Sequence, residues 1–425
     1  MNEDFLHFVW KYRLYSLPAK TTGGDVIQVL QPGRHNQDAG PDFSDGRIKL
    51  GKTTWAGNIE IHMKSSEWYE HRHQHDPAYA NIILHVVFEN DREIFDRNGN
   101  TVPALELKGQ INSDVYKKYF YYLNNQLWIP CERDINLVDP VTMKSWMERL
   151  FVERMERKLE GLRTLHRRNK NSLTETFYQV LAGNFGFKTN EQPFQLLSRL
   201  LPLAIPGKHK NSLFQVEAML FGCAGLLKDD FQDDYPNQLQ KEFEFLQKKY
   251  GLTVMEGHLW KFLRLRPANF PTIRISQFAA LIHKSENLLS KLMETSSLSA
   301  LQSFFNVKSS PYWEDHFNFD KPSKIRVKPL GKSAVNTLIL NSVVQFLFFY
   351  AEVKGEQRYR DRAIAFMLEL EPEMNHIIKK WATIGMEASS ALESQALIEL
   401  KNNYCKLKKC LSCNIGTKLL RQTAG

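Results

Sequence analysis

Alternation along Asn58-Ile-Glu-Ile-His-Met-Lys64 places Asn58, Glu60, His62 and Lys64 on one face of an extended strand and Ile59, Ile61 and Met63 on the other. A carboxylate, an imidazole and an ammonium then share one edge. Eighteen residues before Glu60 stands Asp42, in Gly40-Pro-Asp-Phe43, where Pro41 stiffens the approach to a strand start and Asp42 can meet Glu60 across the neighbouring strand. Two close carboxylates repel unless a cation sits between them, so the pair is a natural site for a hard divalent ion such as Mg²⁺ or Mn²⁺. Asp42 and Glu60 would hold the ion and His62 or Lys64 would position a water, an arrangement suited to phosphodiester hydrolysis.

Histidines crowd the same region: His62, His71, His73, His75 and His85 are five of the thirteen. On a strand His71, His73 and His75 would share a face and, with Asp76, ligate Zn²⁺ or Fe²⁺ in a metallohydrolase of a small substrate. A polar loop or helix start with solvated imidazoles fits the stretch better. His85 lies in an apolar run, either as a hydrogen-bonded core residue or as a metal ligand beside Asp42 and Glu60. His35 and Asp38, on the approach to Pro41, line the same cleft or simply form the turn.

A second cluster is Cys405-x4-Cys410-x2-Cys413, flanked by Lys406, Lys408 and Lys409. Nearby ammonium groups favour thiolates and hence metal binding, zinc for example, against the plain alternative of reduced structural thiols. A tetrahedral site lacks one ligand, which Cys131, Cys223 or a distant His would supply. Arg264, Arg266 and Arg274, interleaved with Phe262 and Phe270, have the makings of a nucleic-acid grip, or else brace an interface. Gly183-Asn-Phe-Gly186 is not a phosphate loop, because no Gly-Lys-Ser/Thr follows, and there is no dinucleotide fingerprint.

The elements that must position these groups divide the chain. Residues 1–111 read as an amphipathic helix over 2–14 followed by strands near 25–30, 41–50, 54–64 and 81–88, with an edge strand at 104–107. From 112 to 425 the period becomes 3.6, and helices are predicted at 141–166, 171–183, 191–202, 211–227, 238–250, 275–284, 286–295, 297–305, 333–351, 356–369, 372–384 and 390–403. The expected fold class is α+β: a small mixed sheet, then a mainly helical domain carrying the cysteines.

A length of 425 residues suits two or three domains, and 43% apolar with 24% charged residues excludes wholesale disorder, a fibrous repeat and a disulfide-stapled mini-protein. The net charge of +9 is compatible with a polyanionic partner. The uncharged window Ser333–Ala351 is broken by polar residues and reads as a core helix, not a bilayer span, and the acidic start lacks a signal-peptide pattern, so a soluble cytoplasmic protein is expected.

Pro41-Asp42 followed by Glu60-Ile-His62, inside a helix-strand-strand-strand-linker-strand order, resembles the core of the PD-(D/E)xK nuclease superfamily with His in place of the final Lys. The resemblance covers about the first quarter of the chain. It implies Asp42 and Glu60 as ligands of Mg²⁺ or Mn²⁺, His62 in the lysine position with Lys64 as an alternative, and cleavage of DNA or RNA. Some nucleases of that superfamily carry an iron–sulfur cluster closed by one remote Cys and a C-terminal group of three; there the lone Cys precedes the core, whereas Cys131 follows it. Asn36–Phe43, Arg264–Pro271 and the stretch from Tyr404-Cys405 through Ile415-Gly416 resemble hallmark segments of an uncharacterised bacterial family, of the kind catalogued as a domain of unknown function. Three functions remain open from sequence: a metal-dependent nuclease, a His-rich metallohydrolase, and a catalytically silent scaffold binding nucleic acid or protein.

Overall fold

The computed structural model describes residues 1–423 except Gln37 and Glu286. It is 55% helix and 12% strand, an α+β protein with a mixed sheet in its N-terminal part. Two compact units emerge: Met1–Met147 with Glu399–Gly425, and Glu148–Ile398. The boundary read from sequence after residue 111 thus falls within the first unit, which also takes in the last stretch of chain.

In the first unit, helix α1 (Glu3–Tyr12) opens on Asn2, whose side-chain oxygen accepts from the Phe5 N–H, and closes on Arg13 in a left-handed conformation. Its apolar stripe, Phe5, Leu6, Phe8, Val9 and Trp10, is buried against the sheet. The strands are β1 (Ala19–Lys20), β2 (Val26–Gln31), β3 (Arg34–His35), β4 (Phe43–Leu50), β5 (Thr53–Lys64), β6 (Ile82–Glu89) and β7 (Ala104–Glu106). Their order is β1-β2-β4-β5-β6-β7, with β3 paired to β4. Neighbours from β1 to β5 are antiparallel; β6 runs parallel to β5, and β7 parallel to β6. Gly51, at φ 58°, makes the tight β4–β5 turn.

The β5–β6 pairing sets Glu60 opposite His85 and His62 opposite Val87. Both strands are central, which explains why Ile83, Leu84, Val86 and Val87 form a buried apolar run broken only by His85. Between them the chain makes a short helix, α2 (Glu67–Glu70), and two 3₁₀ turns, His73–His75 and Pro77–Tyr79. Trp68, Tyr79, Ile94 and Val102 form a satellite core under this connection. A helix not expected from sequence, α3 (Ser113–Asn124), follows, capped by Asn112.

Helices α4 (Pro140–Arg168), α5 (Leu173–Phe185), α6 (Phe187–Leu200), α7 (Leu213–Cys223), α8 (Asp234–Tyr250), α9 (Pro271–Lys284), α10 (Leu288–Glu294), α11 (Leu298–Phe304), α12 (Lys332–Leu338), α13 (Gln345–Lys354), α14 (Gln357–Glu369), α15 (His376–Ala382) and α16 (Ala391–Glu399) fall where the 3.6 period predicts them. The short α17 (Asn414–Gln422) was not foreseen. Among the described residues, α12, the π-helical segment Ile339–Val344 and α13 form the one continuous helix, Lys332–Lys354, long and apolar enough to cross a bilayer, and most of its apolar stretch is buried within the second unit, as its polar interruptions suggested.

The second unit buries a carboxyl group. Glu217 on α7 is 1% exposed, accepts from the Tyr235 hydroxyl, and is pushed up to about 7 by burial. Its folded pKa exceeds the unfolded one, so the folded state holds the proton that the unfolded state has lost, and stability falls as pH rises from 4.5 to 7. Glu217 is expected to cost on the order of 3 kcal/mol across that window. Urea unfolding at pH 5 and pH 8 checks this: the decline should be smaller in Glu217→Gln, and equal declines would refute it.

Candidate metal centre

Strand β5 outruns β4. The register between them shifts from Phe43↔Ile59 to Gly46↔Gly57, and beyond Ile59 the β5 backbone has no β4 partner. Its free amides are taken by acidic side chains instead: the Ile61 N–H donates to Asp42 Oδ2 at 2.9 Å, and the Met63 N–H to Glu67 Oε2 at 3.1 Å. Asp42 in turn donates its own N–H to Glu60 Oε2 at 3.1 Å. The bulge and the overhang therefore bring Asp42 and Glu60 together from separate strands.

Around Glu60 stand imidazoles. Glu60 Oε1 is 3.6 Å from His62 Nε2 and 3.4 Å from His73 Nε2, and His62 Nε2 is 3.2 Å from His71 Nδ1. One donor atom from each of His62, His71 and His73 lies within 4.8 Å of the other two. A tetrahedral ion with bonds of about 2.0–2.1 Å sets its ligands roughly 3.3–3.4 Å apart, close to the spacing of Glu60 from His62 and His73 and of His62 from His71. His71 and His73 reach this group because the α2 turn and the following 3₁₀ turn fold over β5, with the Tyr79 ring stacked 3.8 Å from the His73 ring.

Electrostatics make the cluster uncomfortable without a cation. Glu60 is pushed up to about 9, first by burial and then by the Asp42 charge, partly offset by the Asp42 amide. Burial first, and neighbouring imidazoles second, lower His62 to about 2 and His73 to about 4. Burial and His73 lower His85 to about 3. These rings are neutral near pH 7, with lone pairs free to bind metal. His73 Nε2 and His85 Nδ1 are buried with no hydrogen-bond partner. A ligating role satisfies the first of these atoms, so the donor set fits a divalent ion.

The residues singled out in the sequence fall in different places. Asp42, Glu60 and His62 converge. His85 is fully buried, opposite Glu60 in the β5–β6 register, and its Nε2 is 2.9 Å from His62 Nδ1, so it buttresses His62. Lys64 is exposed and paired in register with Glu89, one turn of the pleat beyond the donors. Asp76 is occupied in capping the turn, accepting from the Ala78 N–H at 2.9 Å, and His75 is exposed. The alternating histidines share no strand face, because the segment folds as turns. Asp38 forms a turn, its N–H bonded to Asn36 Oδ1.

His35 joins the cleft through a residue that sequence reading passed over. Its Nε2 lies 3.3 Å from His7 Nδ1, and His7 Nε2 is 3.3 Å from Asp42 Oδ2. Burial lowers the His7 pKa, but the Asp42 carboxylate more than restores it, and the net shift is upward. The available signal was the spacing of Glu3 and His7, four apart on one side of α1.

Arg264 and Arg266 are exposed in the second unit. Arg274 is instead buried: its guanidinium donates to Gln277 at 2.8 Å and Asn269 at 2.6 Å, and lies over the Phe187 ring at 4.6 Å. Its engagement leaves it bracing its own unit, in place of the phosphate grip expected from sequence.

No curated protein and no solved structure matches the chain. One family model does, over residues 3–376, described as protein of unknown function (DUF2851). That span takes in both Asp42 and the Glu60–His73 cluster, and the chain belongs to the DUF2851 family.

Proposed function

We propose that this protein is a divalent-metal-dependent hydrolase of phosphodiester bonds in DNA or RNA, with Glu60, His62, His71 and His73 holding the ion and Asp42 beside them. The observation that carries this reading is the gathering of one donor atom from each of His62, His71 and His73 within 4.8 Å, with Glu60 Oε1 3.4–3.6 Å from two of these rings and a second carboxylate beside it. The order α1-β2-β4-β5-connection-β6, with β6 parallel to β5, agrees with the nuclease core that the sequence resembles. A donor set rich in imidazole favours Mn²⁺ or Zn²⁺ over Mg²⁺. When bound, the ion supplies Lewis acidity for the phosphate and lowers the pKa of water.

The remaining work falls to side chains. A proton on His62 Nδ1, donated to His85 Nε2, turns the His62 Nε2 lone pair toward Glu60 and His71. The Ile61 amide fixes the Asp42 carboxylate. His7 Nε2 lies 3.3 Å from Asp42 Oδ2 at the rim of the cleft, and that carboxylate raises its affinity for a proton.

A second reading, a metallohydrolase of a small substrate, draws on the same three imidazoles. Both are tested by assaying the purified protein with Mn²⁺ or Zn²⁺ on single- and double-stranded DNA, RNA and an aryl phosphodiester. Cleavage of nucleic acid that needs metal and disappears in Asp42→Ala supports the first reading. Turnover of the aryl ester alone supports the second. Cleavage that persists in an Asp42→Ala/Glu60→Ala double variant defeats both.

A further inference from the structure

The second unit has a cleft of its own, about 900 Å³ in volume, lined by residues of α4, α5, α6 and the continuous helix Lys332–Lys354. That volume lies within the range of small-molecule sites. Amide side chains line it: Gln179 and Asn184 on α5, and Asn341 and Gln345 on the long helix. Asn341 belongs to the π-helical turn Ile339–Val344, a wide turn that is rare in proteins and frequent at functional sites. Its backbone carbonyl accepts from Asn184 Nδ2 at 3.1 Å, and its side-chain oxygen accepts from Lys158 Nζ at 3.1 Å and from Gln345 Nε2 at 3.3 Å. A lysine amine from α4 therefore stands in the cleft wall with a neutral amide as its acceptor.

Among the described residues no carboxylate forms an ion pair with Lys158. The three carboxylates that line the cleft are turned to other partners: Glu160 to Arg163 at 3.1 Å, Glu191 to the Gln195 amide at 3.1 Å, and Glu373 to the Gln395 and Asn375 amides at 2.8 and 3.2 Å. Burial first, and then the Arg154 charge, pull the Lys158 pKa down to about 7; Arg157 acts in the same direction, Glu373 and Glu191 against it. Arg168, Lys188 and Arg199 also line the cleft, are exposed, and have no carboxylate partner among the described residues. Positive charge at the opening thus surrounds an inner amine that is neutral in roughly half the molecules at pH 7.

We propose that this cleft binds a small carbonyl compound bearing a phosphate or carboxylate group, and that the Lys158 amine joins its carbonyl carbon as a reversible imine. An ammonium has no lone pair to attack with, and a carboxylate beside Lys158 would have kept it one; desolvation against a neutral amide leaves the lone pair in place. The amine nitrogen attacks the carbonyl carbon, a C=N bond replaces the C=O bond, and the oxygen leaves as water with the two amine hydrogens. No oxidant or reductant takes part. The amide side chains offer donors and acceptors to the body of the ligand, and Arg168, Lys188 and Arg199 draw its acidic end.

The test uses the full chain and pyridoxal 5′-phosphate, an aldehyde carrying a phosphate, with borohydride to reduce any imine to a stable secondary amine. Labelled lysines are located and timed by peptide mass mapping. At pH 7 Lys158 is expected to be labelled at least about tenfold faster than the exposed lysines of the chain, because an ordinary lysine amine is almost wholly protonated there. Its rate should level off above about pH 8, whereas that of an ordinary amine climbs toward pH 10. The preference for Lys158 over exposed lysines should fall at least about threefold with pyridoxal, which lacks the phosphate. Labelling of Lys158 no faster than the exposed lysines, or a rate still climbing beyond about pH 9, would overturn the imine. An unchanged preference with pyridoxal would overturn the requirement for an acidic group. Every readout comes from the wild type, so no variant has to fold. None needs a divalent ion or a nucleic acid, and the outcome is separate from that of the hydrolase reading.

Discussion

Glu60→Ala is expected to lower metal-dependent hydrolysis on the order of a thousandfold, the several kcal/mol of charge stabilisation that a bound ion provides. Glu60 supplies the anionic oxygen within 3.6 Å of two imidazoles, and without it the ion would meet neutral rings alone. The same change should leave the metal-free protein about as stable as before. A carboxyl group held near pKa 9 by burial and by Asp42 is a strained tenant of the fold, and removing it relieves that strain while leaving a small void. The two effects separate cleanly in thermal unfolding with and without Mn²⁺. Wild type should gain stability from the ion, and Glu60→Ala and Glu60→Gln should not. Equal metal-induced shifts in wild type and Glu60→Gln would show that the carboxylate is no ligand.

Much of this arrangement could be read from the chain before any coordinates. Two-residue alternation through Asn58–Lys64 is a property of extended backbone, so the common face of Glu60 and His62 followed directly. Asp42 followed less directly, because its approach depends on a bulge between Phe43 and Gly46 that alternation does not reveal. His71 and His73 were legible as candidate ligands, but in company with His75 and Asp76 on a strand; their meeting with Glu60 and His62 was hidden for a different reason. Their positions are set by 3₁₀ turns anchored on Trp68 and Tyr79, and tertiary packing of that kind leaves no periodic trace. Helix α3 was missed because Tyr116, Tyr119, Tyr121 and Tyr122 have strand propensity, overridden here by a sound Asn112 cap and by burial of Val115, Tyr119 and Tyr122.

His85→Leu separates support from ligation. His85 is fully buried on β6 between Leu84 and Val86, with one ring nitrogen against His62 and the other without a partner. Leucine is apolar and of similar size, and it removes an unsatisfied buried polar atom, so the metal-free fold should hold. His62 Nδ1 then loses its partner, and nothing fixes the tautomer that aims Nε2 at Glu60 and His71. Loss of such an outer partner typically costs 10–100-fold in metal affinity. Titration of Mn²⁺ or Zn²⁺ by calorimetry should therefore show His85→Leu weakened by about that factor, with an unfolding midpoint in chelator close to wild type, while His75→Ala, on an exposed ring, binds as wild type does. A variant that binds metal normally but unfolds early would make His85 a packing residue and nothing more, and His62 would then need another source for its orientation.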